Sequence, residues 1–380
     1  MSAPQAIANI SVLKDVWSLQ GSLVFNQSIL LACQQLLKFD ESAQALTIYD
    51  LTNYEAPLSL IHTGAQPLYL SERAKHLVHR YLWSDLFVTV TTKNTTVDVS
   101  VRAHAMPLDV SSVGRLIHRF LPYRRGVIVE NIKRAYGARI SEQQVERLAQ
   151  SHYTHLFKLF SELVSFRFIS LEERAKRVRV EGVPELTEAF SAGKGIIVLT
   201  GHFGNFEVST VSGIEHFPQV KGRIHFLRRP IKPKWLSDFL TRRFNQAGFG
   251  VIGRRGSLDE IVTILEKGDA IVFPFDQYAR RPEGIEVPFF DVPAGTHKSM
   301  AVIAMATGSP VMPAASWREP DGTHVLKFWP PLAPIEYDDV GQEIRLNTAQ
   351  YNEALAQRVL AHPEQWWWVH RRWKNQRPVK

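Results

Sequence analysis

Two short apolar runs, "GIIVLT" at 195–200 and "AIVFPF" at 270–275, restrict the fold more than any other feature of the chain. A strand with one wet face alternates apolar and polar residues, whereas a run that is apolar throughout has to be covered on both sides. Helical patterns lie between such runs, which predicts an α/β domain built on a mostly parallel, helix-covered sheet. "RIHFLRR", "PVMPAAS" and "HVLKFWPPL" are further strand candidates, and the helical stretches "WLSDFLTRRFNQAG" and "IVTILEKG" stop at Gly248 and Gly268. Ser141 with Gln144, Ser170 with Glu173 and Ser257 with Glu260 have capping-box spacing ahead of helices.

With 380 residues the chain has room for one large domain and a smaller one. Residues 1–110 read as a small α+β segment and 111–380 as the main domain. The segment offers a helix at 27–38, a strand in "ALTIYDL" and a hairpin in "LFVTVTTKNTTVDVSVRA" turning at Lys93-Asn94. In that hairpin Leu86, Val88 and Val90 would face Val97, Val99 and Val101. The single cysteine, Cys33, excludes an intramolecular disulfide and reads as a buried thiol in "ILLACQQLL". No secretory signal and no run of about 20 apolar residues is visible, so contact with a membrane is expected from one side only.

The formal net charge is +8, and the cations cluster in "FLRRPIKPKW", "LTRRF", "VIGRRG" and the terminal "HRRWKNQRPVK". Such runs read either as solvated faces or as a basic surface for an anionic partner, whether nucleic acid, acidic lipid or an acidic carrier protein. The adjacent tryptophans of "PEQWWWVHRRW" read as an interface for acyl chains and phosphates or as core packing, since three neighbouring rings cannot all face inward on a helix.

Ligands of open α/β sheets bind beyond the carboxyl ends of strands. His202 follows "GIIVLT" there, and Asp276 follows "AIVFPF". In "GHFGNFE", His202 and Glu207 would lie about 140° apart on a continuous helix at roughly 100° per residue. A turn at Phe203-Gly204-Asn205 would let them meet. Asn205 is suited to cap the following helix, with Glu207 in its first turn, where the dipole favours a carboxylate. A carboxylate beside His202 would fix its tautomer and stabilise the imidazolium, which is general-base chemistry on a hydroxyl or amine. The bland alternative has His202 bonding a carbonyl and Glu207 serving the helix. The segment lacks the one-turn spacing of paired His ligands, and no G-x-S-x-G occurs.

"GHFGNFE", "RRP" ahead of a helix with Arg242-Arg243, "LEKGDAIVFPFDQ", "VPFFDVPAGTHKS" and "PEQWWWVHRRWK" follow one another in that order. Over roughly residues 111–376 the chain resembles the lipid A late acyltransferase family, which includes lauroyl and myristoyl transferases and phosphatidylinositol mannoside acyltransferases. The resemblance implies a sheet of the glycerolipid-acyltransferase type and transfer of a fatty acyl group from a thioester to a hydroxyl of a glycolipid. It implies that His202 is the base and Glu207 its partner, while Arg243, with Arg242 as a rival, and Asp276 order the pocket or bind phosphate and pantetheine. Backbone N–H groups near Gly204 and Asn205, or an Arg, would receive the oxyanion. No metal or cofactor is implied; the co-substrate is an acyl carrier protein or coenzyme A thioester.

Relatives usually begin with a hydrophobic anchor helix, where this chain carries about 110 other residues. Phe289-Phe290-Asp291 stands where Phe-Phe-Gly is common, and Phe206 where Trp is common. The expected setting is peripheral, at the anionic cytoplasmic face of the bacterial inner membrane, with a glycolipid or lysophospholipid-like acceptor and no nucleic acid. Two alternatives stay open: the same chemistry on a soluble amine or alcohol, and a non-catalytic basic protein binding nucleic acid or anionic lipid.

Overall fold

The computed structural model describes residues 108–137, 140–166, 168–228, 234–253 and 256–376, together with five strand backbones nearer the amino terminus. The chain divides into two compact units, Met1–Pro107 with Tyr136–Ser141, and Leu108–Ala135 with Glu142–Lys380. In the first, β1 (Leu37–Asp40), β2 (Ala45–Asp50) and β3 (Asn53–Ile61) form one antiparallel sheet, and β4 (Ser84–Lys93) pairs with β5 (Thr96–Ala105). The hairpin register opposes Val88 to Val101 and Val90 to Val99, as the alternation predicts, whereas Val97 faces Thr92 and Leu86 faces Ala103. The helix expected at 27–38 ends in strand β1 at its last two residues, and the rest of it, with Cys33, lies outside the described residues.

The second unit opens with three helices, α1 (Ser112–Phe120), α2 (Arg125–Tyr136) and α3 (Glu142–Ser165), and the short α4 (Leu171–Lys176). Strands and helices then alternate: β6 (Val178–Glu181), α5 (Val183–Ser191), β7 (Ile196–Thr200), α6 (Phe206–Gly213), β8 (Ile224–Arg228), α7 (Lys234–Gln246) and β9 (Gly250–Gly253). They continue through α8 (Leu258–Glu266), β10 (Ala270–Pro274), the hairpin β11 (Gly284–Phe289) and β12 (Val292–His297), and α9 (Ser299–Thr307). β13 (Val311–Arg318), β14 (His324–Phe328) and α10 (Val340–Ala361) complete the unit.

Seven strands form one sheet in the order β6-β14-β13-β7-β10-β8-β9. Every neighbouring pair is parallel except β13 with β14. The two runs that predicted a covered sheet, β7 and β10, lie side by side at its centre. Ile196, Ile197 and Leu199 of β7 are buried on both faces, each contributing about 1.5–3 kcal/mol relative to exposure. Alternation sends Val198, Phe226, Val272, Ala314 and Leu326 to one face, where they join Phe190 of α5, Val211 of α6 and Phe244 of α7 in a single core. Ile197, Leu199, Ile271 and Phe273 point the other way, where β10 meets α8 and β13 meets α10.

The helix stops read from the sequence hold: Gly248 and Gly268 adopt φ of 88° and 81°, a left-handed backbone that glycine enters without penalty. α3 begins directly after Ser141. Ser170 caps α4 by accepting from the Glu173 N–H at 3.2 Å, whereas Ser257 precedes α8 without a side-chain cap bond. The Asp291 departure sits on the two-residue turn of the β11–β12 hairpin, where Phe290 is buried, Asp291 is exposed, and the two have φ of 53° and 61°. A type I′ turn requires positive φ at both positions, and Asp tolerates it better than most residues do.

Candidate active site

Three neighbouring strands deliver a polar side chain each from their carboxyl ends: β7 leads to His202, β10 to Asp276, and β8 finishes on Arg228. His202 Nδ1 lies 2.8 Å from Asp276 Oδ1, and its backbone N–H donates to Asp276 Oδ2 at 2.7 Å. The Trp366 indole N–H donates to the same Oδ2 at 3.0 Å. The carboxylate that partners His202 is therefore Asp276. The expected pairing of His202 with Glu207 is corrected: Glu207 turns away and accepts from Arg228 Nη2 at 3.0 Å. Asn205 starts the helix immediately after the turn, and Glu207 reaches Arg228 at the end of β8, the strand beyond β10, instead of turning back over β7.

These contacts set the electrostatics. Burial presses His202 toward its neutral form, but the Asp276 carboxylate more than offsets this, and the ring titrates above its ordinary value. Burial works against Asp276 as a carboxylate too, yet His202 and His370 hold it well below the usual range. Burial raises Glu207, opposed by Arg228 and Arg243. His370 stands with its ring centre 5.2 Å from that of His202. Burial lowers it to about 4, despite Asp276 nearby and with His202 and Arg124 adding to the drop, so of the two imidazoles His202 is the one that takes a proton first.

The turn between His202 and Glu207 is held from several sides. Gly204 has φ of 52°, and a Cβ there would fall 2.6 Å from the Ser316 carbonyl oxygen. Its N–H donates to the Gln365 carbonyl at 3.0 Å, so it is not the oxyanion donor the sequence suggested. Asn205 caps α6 by accepting from the Val208 N–H at 3.3 Å, while its amide donates to Glu162 Oε2 of α3 at 2.9 Å. Asn205 is buried, and its side chain is taken up by these bonds. Glu162 in turn grips Arg318 with both oxygens, and Arg318 exchanges backbone bonds with the Gln365 side chain at 2.7 and 2.9 Å.

After one 3-10 turn at Pro363–Gln365, the carboxyl-terminal block is an irregular strap. Phe203 and Trp366 form an antiparallel bridge, and the Trp367 N–H donates to the His202 carbonyl at 3.0 Å. Trp366 and Trp368 are wholly buried and only Trp367 is half-exposed, which settles the tryptophans as core packing. Arg372, expected on a basic surface, is fully buried, donating to the Gly295 carbonyl, Thr296 Oγ1 and Asn352 Oδ1 at 2.6, 2.7 and 3.1 Å. Of the adjacent arginines on α7, Arg243 approaches Glu207, while Arg242 is exposed and bonds the Asp238 carbonyl. Residues 229–233, 254–255 and 377–380 of the basic runs lie outside the described residues.

An apolar cavity opens beside His202 and holds about 730 Å³ of empty space, part of it open to solvent. Val198, Phe226, Val272 and Leu326 from the sheet, and Phe206, Phe217 and Phe249 from above it, line the cavity. Its polar lining, Thr200, His202, Thr210 and Ser316, includes the catalytic candidate itself. Sequence reasoning missed Arg228 and His370, though both stood in quoted blocks; it also missed the cavity, which no single segment encodes.

Residues 76–375 match the model of the bacterial lipid A biosynthesis acyltransferase family, beginning ahead of the quoted motifs. The chain belongs to that family and is an acyltransferase. It is 24% identical over 278 residues to the lipid A biosynthesis palmitoleoyltransferase of Escherichia coli (strain K12), covering 70% of this chain and 84% of that protein. The lauroyltransferase of the same organism is 23% identical over 267 residues, 69% of this chain and 83% of its own. A phosphatidylinositol mannoside acyltransferase of Mycobacterium tuberculosis (strain CDC 1551 / Oshkosh) is 23% identical over 198 residues, 51% and 59% of the two chains. Among the described residues, no helix is long and apolar enough to cross a membrane.

Proposed function

We propose that this enzyme transfers a fatty acyl group from a carrier-protein or coenzyme A thioester to a hydroxyl of a lipid A-type glycolipid at the cytoplasmic face of the inner membrane. The observation that supports it most is that His202, paired with Asp276, lines an apolar cavity. With Nδ1–H donated to Asp276, the lone pair of neutral His202 resides on Nε2. Nε2 takes the proton of the acceptor hydroxyl as its oxygen attacks the thioester carbonyl carbon. The tetrahedral intermediate then collapses, the C–S bond breaks, and the thiolate leaves with the proton from Nε2. Asp276 stabilises the imidazolium between these steps. The apolar cavity is a place for the acyl chain.

Glu207 acts here through Arg228 and Arg243, holding two cations where phosphate groups of donor or acceptor would lie. Glu207 Oε2 and Arg228 Nη1 are buried without a hydrogen-bond partner among the described residues, leaving one acceptor and one donor for substrate. The test is product analysis by mass spectrometry after mixing the purified chain with an acyl thioester and a lipid A-type glycolipid. His202→Ala should lower acylation by on the order of 10²–10⁴-fold. Undiminished acylation by that variant, or acylation only of soluble alcohols and amines, overturns the reading.

A further inference from the structure

Helix α1 is amphipathic in the inverse sense. Val113, Leu116 and Phe120 recur at i, i+3 and i+7 on one stripe, and they are 39%, 58% and 66% exposed. Its buried face is instead small and polar. Gly114 is pressed on Thr154 of α3, where a Cβ would fall 2.0 Å from the hydroxyl oxygen. Ser111 bonds the same hydroxyl through its N–H and Oγ at 3.1 and 3.2 Å, and the His118 ring meets Tyr153 edge-on at 5.5 Å. The sequence has thus placed the apolar face of α1 outward, and the chain continues through the exposed Leu121 and Tyr123.

The second half of α3 repeats the pattern. Phe157, Phe160 and Val164, again at i, i+3 and i+7, are exposed, while Leu156 and Leu159 are buried behind them. No acid occurs between Val110 and Val129, and Arg115, Arg119, Arg124 and Arg125 in that stretch are exposed. Arg125 leans on Glu146 at 3.4 Å; among the described residues neither Arg115 nor Arg119 pairs with a carboxylate. The patch adjoins the active site, because Glu162 of the same half of α3 holds Asn205. The apolar stripe of α1 is flanked by arginines with no acid among them, and the α3 stripe, whose one acid Glu162 is turned inward onto Asn205 and Arg318, extends it; together they suit a surface that is apolar below and anionic above.

We propose that α1 and the outer face of the second half of α3 seat this enzyme on an anionic lipid bilayer. Leu116, Phe120 and Phe160 enter below the headgroups, and Arg115 and Arg119 pair with lipid phosphates. The use of this surface rests on the acceptor reading above, whereas the binding itself does not.

The full chain is sedimented with phosphatidylcholine vesicles and with vesicles enriched in phosphatidylglycerol, at low and high salt. The expected result is binding that favours the anionic vesicles and weakens with salt. Leu116→Ser with Phe120→Ser should cut that partition by about a hundredfold, the lower end for two fully buried apolar side chains, and Phe160→Ser should weaken it from the neighbouring helix. Arg115→Gln with Arg119→Gln should remove the preference for anionic vesicles. Turnover of acceptor dispersed in detergent should match the parent in every variant, which also verifies folding. If the parent shows no acyl transfer, the acceptor reading fails and the vesicle result still decides this one. Parent-like vesicle binding by the Leu116/Phe120 variant overturns the proposal. So does a change in oligomeric state by light scattering in its place, which would assign the face to a second copy of the chain.

Discussion

Replacing Asp276 with Asn keeps the shape of the side chain and reverses one hydrogen bond. Three donors converge on the carboxylate: the His202 and Trp366 N–H groups on Oδ2, and His202 Nδ1 on Oδ1. In Asp276→Asn the amide oxygen can keep the two donors at the Oδ2 position, which sets the NH2 group opposite Nδ1 at 2.8 Å. Two donors cannot face each other there, so the imidazole moves its proton to Nε2. The lone pair that would accept the substrate proton is then turned into the protein. Locking a catalytic histidine in the wrong tautomer costs on the order of 10⁴ in kcat. That is about 5.4 kcal/mol on the barrier at roughly 1.36 kcal/mol per decade.

The same variant moves the pH profile. The base works when neutral, so the rate rises with pH through the His202 pKa, which Asp276 holds above 6.5. Without the carboxylate, burial acts unopposed and the rising limb shifts to lower pH. Stability follows the pair too. Asp276 contributes above its ordinary range near about 3.9 and loses that contribution as the pH falls through its depressed folded value. His202 contributes below about 6.5 and loses that contribution as the pH rises through its raised folded value. The stability gap between parent and Asp276→Asn should therefore be widest between about pH 4 and 6.5. Steady-state kinetics against pH and chemical denaturation at matched pH measure both effects. A parent-like kcat with an unmoved limb, in a folded Asp276→Asn protein, refutes the reasoning.

Further expectations concern the neighbours. Glu207→Gln should destabilise the fold by about 1.5–3 kcal/mol through the weakened Arg228 bond while leaving the His202 pH limb in place, which denaturant melts and pH–rate profiles separate. Thr210→Trp fills the cavity lining, so kcat/KM for long acyl donors should fall relative to short ones in a chain-length series. Gly204→Ala forces a left-handed backbone on alanine and a clash with Ser316, with an expected loss of about 1–3 kcal/mol in thermal or denaturant unfolding.

The sheet was legible because burial on both faces writes an unmistakable pattern: the runs that became β7 and β10 have almost no polar atom to place. The glycine stops were legible for a local reason, the left-handed turn at Gly248 and Gly268. The partner of His202 was not, since Asp276 is 74 residues away and reaches it only because β10 is the sheet neighbour of β7. Local spacing offered Glu207 instead, five positions on, and local spacing carries no information about strand order. The tryptophans misled in a similar way. On a helix three adjacent rings diverge, but in the irregular strap Trp366 and Trp368 are both buried and Trp367 between them is half-exposed. Arg372 looked like surface charge because the sequence cannot display the carbonyl and side-chain oxygens that await it inside. The inverted stripe of α1 was equally hidden, since its periodicity is that of a core helix and only packing tells which face is wet.

The central claim is that His202 is a base held in one tautomer by Asp276, and nitrogen-resolved NMR titration of the ¹⁵N-histidine-labelled protein reads it directly. The account predicts that neutral His202 carries its proton on Nδ1 and titrates above 6.5, with both features lost in Asp276→Asn. A proton on Nε2 in the parent, or titration below 6.5, would contradict it.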